Sequence, residues 1–332
     1  MTEIQVKKAD KDNEPPDPMS DVFTASLWSA PKNENLLLSF INSVRTNAGA
    51  LPIVKAEVLN PFNIKEYQAS KGIVLDVRAK DEHDHLYDVE VQTSNHPAFP
   101  NRSLDYWSDT FSAQLKSGME YSELRHVISI ILTSFRIFPQ LEDIHTIFQI
   151  TAKENPKVLL TDAFQMHYLR LYDVIRGRLD KLDSLCRDLR HWLLFFAFGG
   201  IKTEGEMAAL TENSPIIQEA YAEMQRFYAN PETREKARER RRFLVDFNLG
   251  MNASKEEGKV EGRAEGRAEG KVEGVAEGEA KSIVYTLGRR FSVVPEVIQT
   301  KLLAITDVTH LDRLMALSFD CQSLEEFASH LR

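Results

Sequence analysis

The chain has 332 residues, 42% of them hydrophobic, enough for one large packed domain or two modest ones. Its net charge of −9 speaks against non-specific wrapping of nucleic acid, which needs lysine and arginine on the phosphates, but leaves room for a local cleft with a basic rim. Cys186 and Cys321 make no disulfide framework and fit a reducing cytoplasm, and no run approaches the ~18 apolar residues of a membrane span.

Residues 1–16 are polar, rich in proline, lysine and aspartate, and carry no apolar signal segment; they read as a disordered arm. A helix begins near Asp21. A second is expected after Asn33 as N-cap, with Leu36, Leu37, Phe40 and Ile41 at helical spacing. Residues 53–59 read as a strand stopped by Pro61. Residues 73–79 and 87–93 read as two strands joined by a polar turn, and therefore as a hairpin. The pattern then predicts a helix over 101–116, ended by Gly118, and strands over 127–132, 144–150 and 164–172. A long helix is expected over 179–198. The order is helix, three strands, helix, further strands. This predicts a mixed α/β unit, a central sheet flanked by helices, over residues 17–201.

A charged helical extension occupies 202–250; its basic run over 234–242 reads as a solvated helix face, with nucleic-acid contact as the alternative. Residues 282–332 form a small helical tail with apolar positions that include Val284, Leu287, Ile298, Leu303, Leu311, Leu314 and Phe327. It shows no chemistry.

The hairpin carries the most informative residues. If it is symmetric, its centre falls at His83 and Asp76 stands opposite Glu90, with Gln92 two residues further on. Opposed residues share a face with Cβ atoms about 4.5–5.5 Å apart. Two carboxylates at that spacing repel unless a proton or a cation lies between them, which is a reason to expect a divalent metal. The competing reading is a chance pair of acids on a solvent face.

Residues 251–281 are of low complexity, with Glu-Gly at every fourth position from Glu257-Gly258 to Glu277-Gly278. Lys259, Arg263, Arg267 and Lys271 fill one intervening column. As an isolated helix this is poorly supported, because like charges stack at i,i+4 and each glycine costs ~0.8–1 kcal/mol against alanine. The segment is either a linker or a self-association helix. In the second case a partner copy sets its Glu columns against Lys/Arg columns and the glycines admit close approach, a dimer being favoured.

Other signals carry nothing. His83 and His85 lack a third ligand nearby, and His126, His145, His167 and His191 fall in or beside apolar elements. No Cys-x-x-Cys, phosphate-loop or nucleophile-elbow pattern is present.

Taken in order, residues 17–23, 35–40, 58–61, Leu75-Asp76, Glu90 with Gln92, 101–107, 192–196 and the Glu-Gly repeats resemble the Rpn-type recombination-promoting nuclease and putative transposase group of the PD-(D/E)XK nuclease superfamily. The resemblance implies an αβββαβ core and a DNA substrate cut by an endonuclease linked to recombination or transposition. It implies a Mg²⁺ held by Asp76 and Glu90. It sets Gln92 where the superfamily more often has lysine; an amide can orient water or a phosphate oxygen but carries no charge. Some superfamily members add an acid from the first helix, for which Asp21 is preferred here and Glu34 is the alternative. Arg102, on the helix after the hairpin, is the candidate to hold a phosphate, with an ordinary surface ion pair as the alternative. The alternative to an enzyme is a non-catalytic DNA-binding or oligomerising module on the same fold.

Overall fold

Helix α1 (Asp21–Ser29) starts after Ser20, and α2 (Glu34–Asn47) starts after Asn33 as the spacing predicts. Asn33 does not cap α2, however. Its buried side-chain amide donates instead to the Leu27 carbonyl at 2.9 Å and ties the two helices together. The computed structural model, which describes residues 15–62 and 76–331, places these helices against one face of a six-stranded sheet.

The strands are β1 (Glu57–Val58), β2 (Val77–Lys80), β3 (Leu86–Gln92), then, after helix α3 (Phe99–Ser112), β4 (Val127–Thr133) and β5 (His145–Phe148). Strands β6 (Thr151–Ala152) and β7 (Asn155–Leu159) form a separate hairpin, and β8 (Phe164–Arg170) returns to the main sheet. The sheet order is β1-β2-β3-β4-β8-β5. β3, β4 and β8 are parallel, while β1, β2 and β5 run antiparallel to their neighbours. Helix, three strands, helix and strand thus follow in the order read from the sequence.

Side-chain alternation divides the sheet into two faces. Tyr87, Val89, Val91, Ile128, Ile130, Leu132 and Leu169 pack into one core with α1, α2, the short α4 (Tyr172–Ile175), α5 (Arg187–Phe198), α6 (Glu204–Leu210) and α7 (Pro215–Ala229). Aromatic contacts pin this layer: Trp28 stacks on Phe40 at 4.9 Å and Trp192 meets Phe40 edge-on at 5.6 Å. Pairs of this kind add about 0.5–1.5 kcal/mol each beyond area burial. The opposite face packs Val127, Ile131, Phe164, Met166 and Tyr168 against Phe99 and Trp107 of α3.

Several expectations are corrected. Of the strand read over 53–59 only Glu57–Val58 enters the ladder. The backbone of Ile53 is taken by Asn42 of α2, which bonds both its N–H and its carbonyl, at 2.7 and 2.8 Å. The helix read over 101–116 starts earlier, where Pro100 suits the first turn, and stops at Ser112. The long helix read over 179–198 is broken. A 3₁₀ turn covers Leu179–Leu182, and α5 begins after Cys186, whose N–H donates to Asn47 Oδ1 at 2.8 Å rather than into a continuing helix.

The packed unit also does not end near Ile201. Met207, Ile217, Ala220, Met224 and Phe227 belong to its core, and it extends to Phe247. Most of residues 1–16 and residues 73–75 of the first hairpin strand lie outside the described residues.

Helix α8 (Pro231–Phe291) contains the whole Glu-Gly repeat, so residues 251–281 are helical. A second unit, from Asn248 onward, packs the end of α8 with α9 (Glu296–Leu303), α10 (Val308–Asp320) and α11 (Leu324–Ser329). Its core includes Leu287, Ile298, Leu311, Leu314 and Phe327 as read, together with Leu302. Leu303 is exposed instead, and Ala276 and Ala280 extend the core back into the repeat. Both cysteines are free, and no described helix is long and apolar enough to cross a membrane.

Candidate active site

The β2–β3 register pairs Val77 with Val89 and Lys80 with Leu86, so one further step sets Asp76 across from Glu90, as the symmetric hairpin requires. Alternation then puts Asp76, Arg78, Asp88, Glu90 and Gln92 on the face covered by α3. Glu90 is only 4% exposed. Asp76 is half-buried at the mouth of the strand and accepts an ion pair from Arg78 Nε at 2.9 Å.

Arg102 descends from α3 onto this face. Its Nη2 donates to Gln92 Oε1 at 3.0 Å and lies 3.5 Å from Glu90 Oε1. The first is a good hydrogen bond; the second is at the limit and acts mainly as charge attraction. Gln92 Nε2 donates to the Ser94 carbonyl at 2.8 Å, which fixes the amide orientation. Arg102 also lies over the rings of Phe99 and Tyr106.

Two residues of this cluster were not singled out from the sequence, Asp88 and Arg78. Their signal was present, since each lies two residues from a singled-out acid and so shares its face. Asp88 is 4% exposed and one of its carboxylate oxygens, Oδ1, finds no hydrogen-bond partner among the described residues. Burial, then the neighbouring charges of Asp76 and Glu90, push the Asp88 carboxyl well above the usual carboxylate range, against the pull of Arg78. Burial pushes Glu90 up to about 7, opposed by Arg102 and reinforced by Asp76. Burial likewise raises the Tyr106 hydroxyl.

The first-helix acids make other contacts. Asp21 pairs with Arg240 Nε at 2.8 Å and accepts the Val22 N–H at 2.9 Å. Glu34 is exposed in the first turn of α2, where its charge acts on Lys55. His83 is exposed. His85 stacks on His126 and meets Asp81 at 3.1 Å.

Residues 18–254 match the sequence profile described as PD-(D/E)XK nuclease family transposase. The chain belongs to that family. No curated protein and no solved structure matches it.

A PD-(D/E)XK nuclease is expected to use a divalent cation, and the donor set here suits one. Asp76 and Glu90 offer hard carboxylate oxygens, and the unpartnered Asp88 oxygen marks a carboxylate-rich pocket short of positive charge. Among the described residues no group of three or more His, Cys, Asp or Glu is arranged to hold a metal ion, so water and substrate oxygens would have to complete the coordination begun by Asp76 and Glu90.

A pH dependence follows. With Glu90 raised to about 7 and Asp88 also raised, the native state holds protons that the unfolded chain releases near pH 4. Their stabilising contribution is full at low pH and is lost as pH rises through about 7. His145 and His167, pushed by burial down to about 4 and about 3, act in the opposite sense, but only below about 6.5. Metal-free protein is therefore expected to lose stability between about pH 6.5 and 8. The slope has a ceiling of about 1.4 kcal/mol per pH unit for each group. Urea unfolding across that range checks it; Glu90→Gln flattens the slope. An unchanged slope in that variant contradicts the assignment.

Proposed function

We propose that the chain is a divalent-metal-dependent DNA endonuclease, with magnesium the preferred ion, and that Asp76, Glu90 and Gln92 carry the reaction. One observation carries the reading: the β2–β3 register, extended one residue beyond Val77 and Val89, sets the two acids on one face, with Gln92 held beside them by Arg102. Asp76 and Glu90 would be the ligands. When bound, the cation would lower the pKa of a coordinated water and neutralise charge that develops on the phosphorus oxygens.

The remaining work falls to the chain's own side chains. Gln92 keeps one N–H and one lone pair beyond its two contacts, enough to orient a water molecule. Arg102, 38% exposed at its side chain, is free at its outer edge to hold a phosphate oxygen while steadying Gln92. Arg78 offsets the charge of Asp76. Asp21 and Glu34 remain candidates for an additional acid ligand; the ion pair of Asp21 with Arg240 would have to open first.

The test is nicking and linearisation of a supercoiled plasmid with Mg²⁺ or with EDTA. Cutting that persists in EDTA removes the metal from the proposal. A second reading, a DNA-binding module without catalysis, draws support from the arginines that already face both acids and from glutamine in place of lysine. Tight duplex binding with no cutting under any divalent cation would establish it.

The repeat supplies a further part of the proposal, a homo-oligomer with a dimer favoured. Gly258, Gly262, Gly266, Gly270, Gly274 and Gly278 form a column in α8, and a Cβ added at any of them would meet nothing within 4 Å. Six glycines weaken an isolated helix by about 5–6 kcal/mol relative to alanine. A second copy laid along that column would offset the cost through packing and facing charge columns. A peptide of residues 254–281 is expected to gain helicity with concentration in circular dichroism. Helicity still absent at millimolar peptide rules out self-association through this segment.

A further inference from the structure

The α3-covered face carries a second charged centre at the same end of the parallel strands. Gln92, Thr133 and Arg170 are registered neighbours on β3, β4 and β8, so their side chains leave the same face. Strands about 4.8 Å apart set Arg170 about 10 Å from Gln92. That is about three nucleotide steps of a duplex, which rises about 3.4 Å per nucleotide along each strand.

Arg170, 7% exposed, places Nη2 3.0 Å from Asp173 Oδ2. Arg136, in the loop after β4, reaches Asp173 Oδ1 at 3.0 Å, and Arg178, after α4, pairs with the same oxygen. The Asp173 side chain has no exposed surface. Glu142, on which Arg136 and Arg170 also act, is 69% exposed and turns to Lys181 at 3.2 Å, and Asp143 lines the same pocket as Arg170.

Three guanidinium groups thus share one buried carboxylate, and the further acids nearby, Glu142 and Asp143, make no ion pair with them among the described residues. A clamp for Asp173 needs fewer, because one fork satisfies a carboxylate bidentately. Uncompensated charge in a poorly solvated place is costly unless an anion completes it. Arg136 and Arg170 each keep a buried Nε with no hydrogen-bond partner among the described residues. Arg136 and Arg178 remain 26% and 44% exposed at their side chains, so the cluster is open on one side.

We propose that Arg136, Arg170 and Arg178 form a phosphodiester cradle that seats the DNA strand running away from the Asp76–Glu90 pair. The inference rests on the nuclease reading for the identity of the strand, and its test does not require cleavage.

The test is fluorescence anisotropy of a labelled duplex with the full-length chain carrying Asp76→Asn, without divalent cation, over 50–200 mM salt. The same protein with Arg136→Gln and Arg178→Gln is the comparison. Arg170 stays in place to hold Asp173, and a melting curve checks that the fold is kept. The double change is expected to weaken binding about tenfold or more and to flatten the slope of log K against log salt by about 1.8, at about 0.9 per phosphate contact.

Unchanged affinity and slope overturn the cradle, and so does a parent protein that binds no duplex. Inorganic phosphate that binds the parent by calorimetry, while the double change leaves duplex binding untouched, assigns the cluster to a free anion and overturns the strand proposal. The expected slope change, beside an unsubstituted protein that cuts no DNA with any divalent cation, leaves the cradle standing and removes the nuclease reading alone.

Discussion

Asp76→Asn is expected to stop plasmid cleavage while leaving the fold as stable as before, or slightly more so. The asparagine keeps the volume and one oxygen but loses the negative charge that a hard cation needs. The loss is expected to exceed the about 10–100-fold that removal of an outer-shell partner costs at a metal site. Stability should move the other way, because the Asp76 charge helps to raise both Asp88 and Glu90 and its removal relieves that repulsion. Loss of the pair with Arg78 offsets little, since the arginine side chain is 40% exposed and solvent screens it. A nicking assay with Mg²⁺ beside a melting curve reads both quantities. Full cutting by the variant removes Asp76 from the site. Lost cutting with a collapsed melting temperature marks a structural role instead.

The second large effect concerns Asp173. Asp173→Asn leaves three guanidinium groups around a buried neutral amide, and breaking a buried ion pair by removing one partner costs about 3–5 kcal/mol. Asn accepts a hydrogen bond from one of the arginines, which favours the lower end of that range. The cost arises in the unit that contains the sheet, so it should appear as a lower urea midpoint with an unchanged slope for that unit. A change below about 0.5 kcal/mol would mean that water already solvates the cluster. Combining Asp173→Asn with Arg178→Gln should recover part of the loss, because one unpaired charge goes with it.

The hairpin was legible because alternation and a polar turn are local. Tyr87, Val89 and Val91 alternate with Asp88, Glu90 and Gln92, and a symmetric turn centred on His83 sets Asp76 opposite Glu90 without tertiary information. The buried acid Asp88 escaped notice for a physical reason. Whether the face it shares with Glu90 meets water or α3 depends on where residues 99–112 pack, which no pattern within the strand encodes. The break before α5 was invisible in the same way, since it hangs on a hydrogen bond from Cys186 to Asn47, 139 residues away. Asp21 read as a candidate additional acid at a helix start, and its partner Arg240 lies 219 residues downstream.

By itself the sequence determined the element order, the facing of Asp76 and Glu90, the presence of glutamine at 92 and the four-residue period of the repeat. Each follows from backbone geometry over a few residues. Only the tertiary structure decided which face of the sheet is covered and that Arg102 bridges Glu90 and Gln92. It alone brought Arg136, Arg170 and Arg178 onto one carboxylate, through the parallel pairing of β4 with β8. Those meetings join segments far apart in the chain, and the choice among possible partners is made by burial and charge pairing in the packed state, not by local conformational preference.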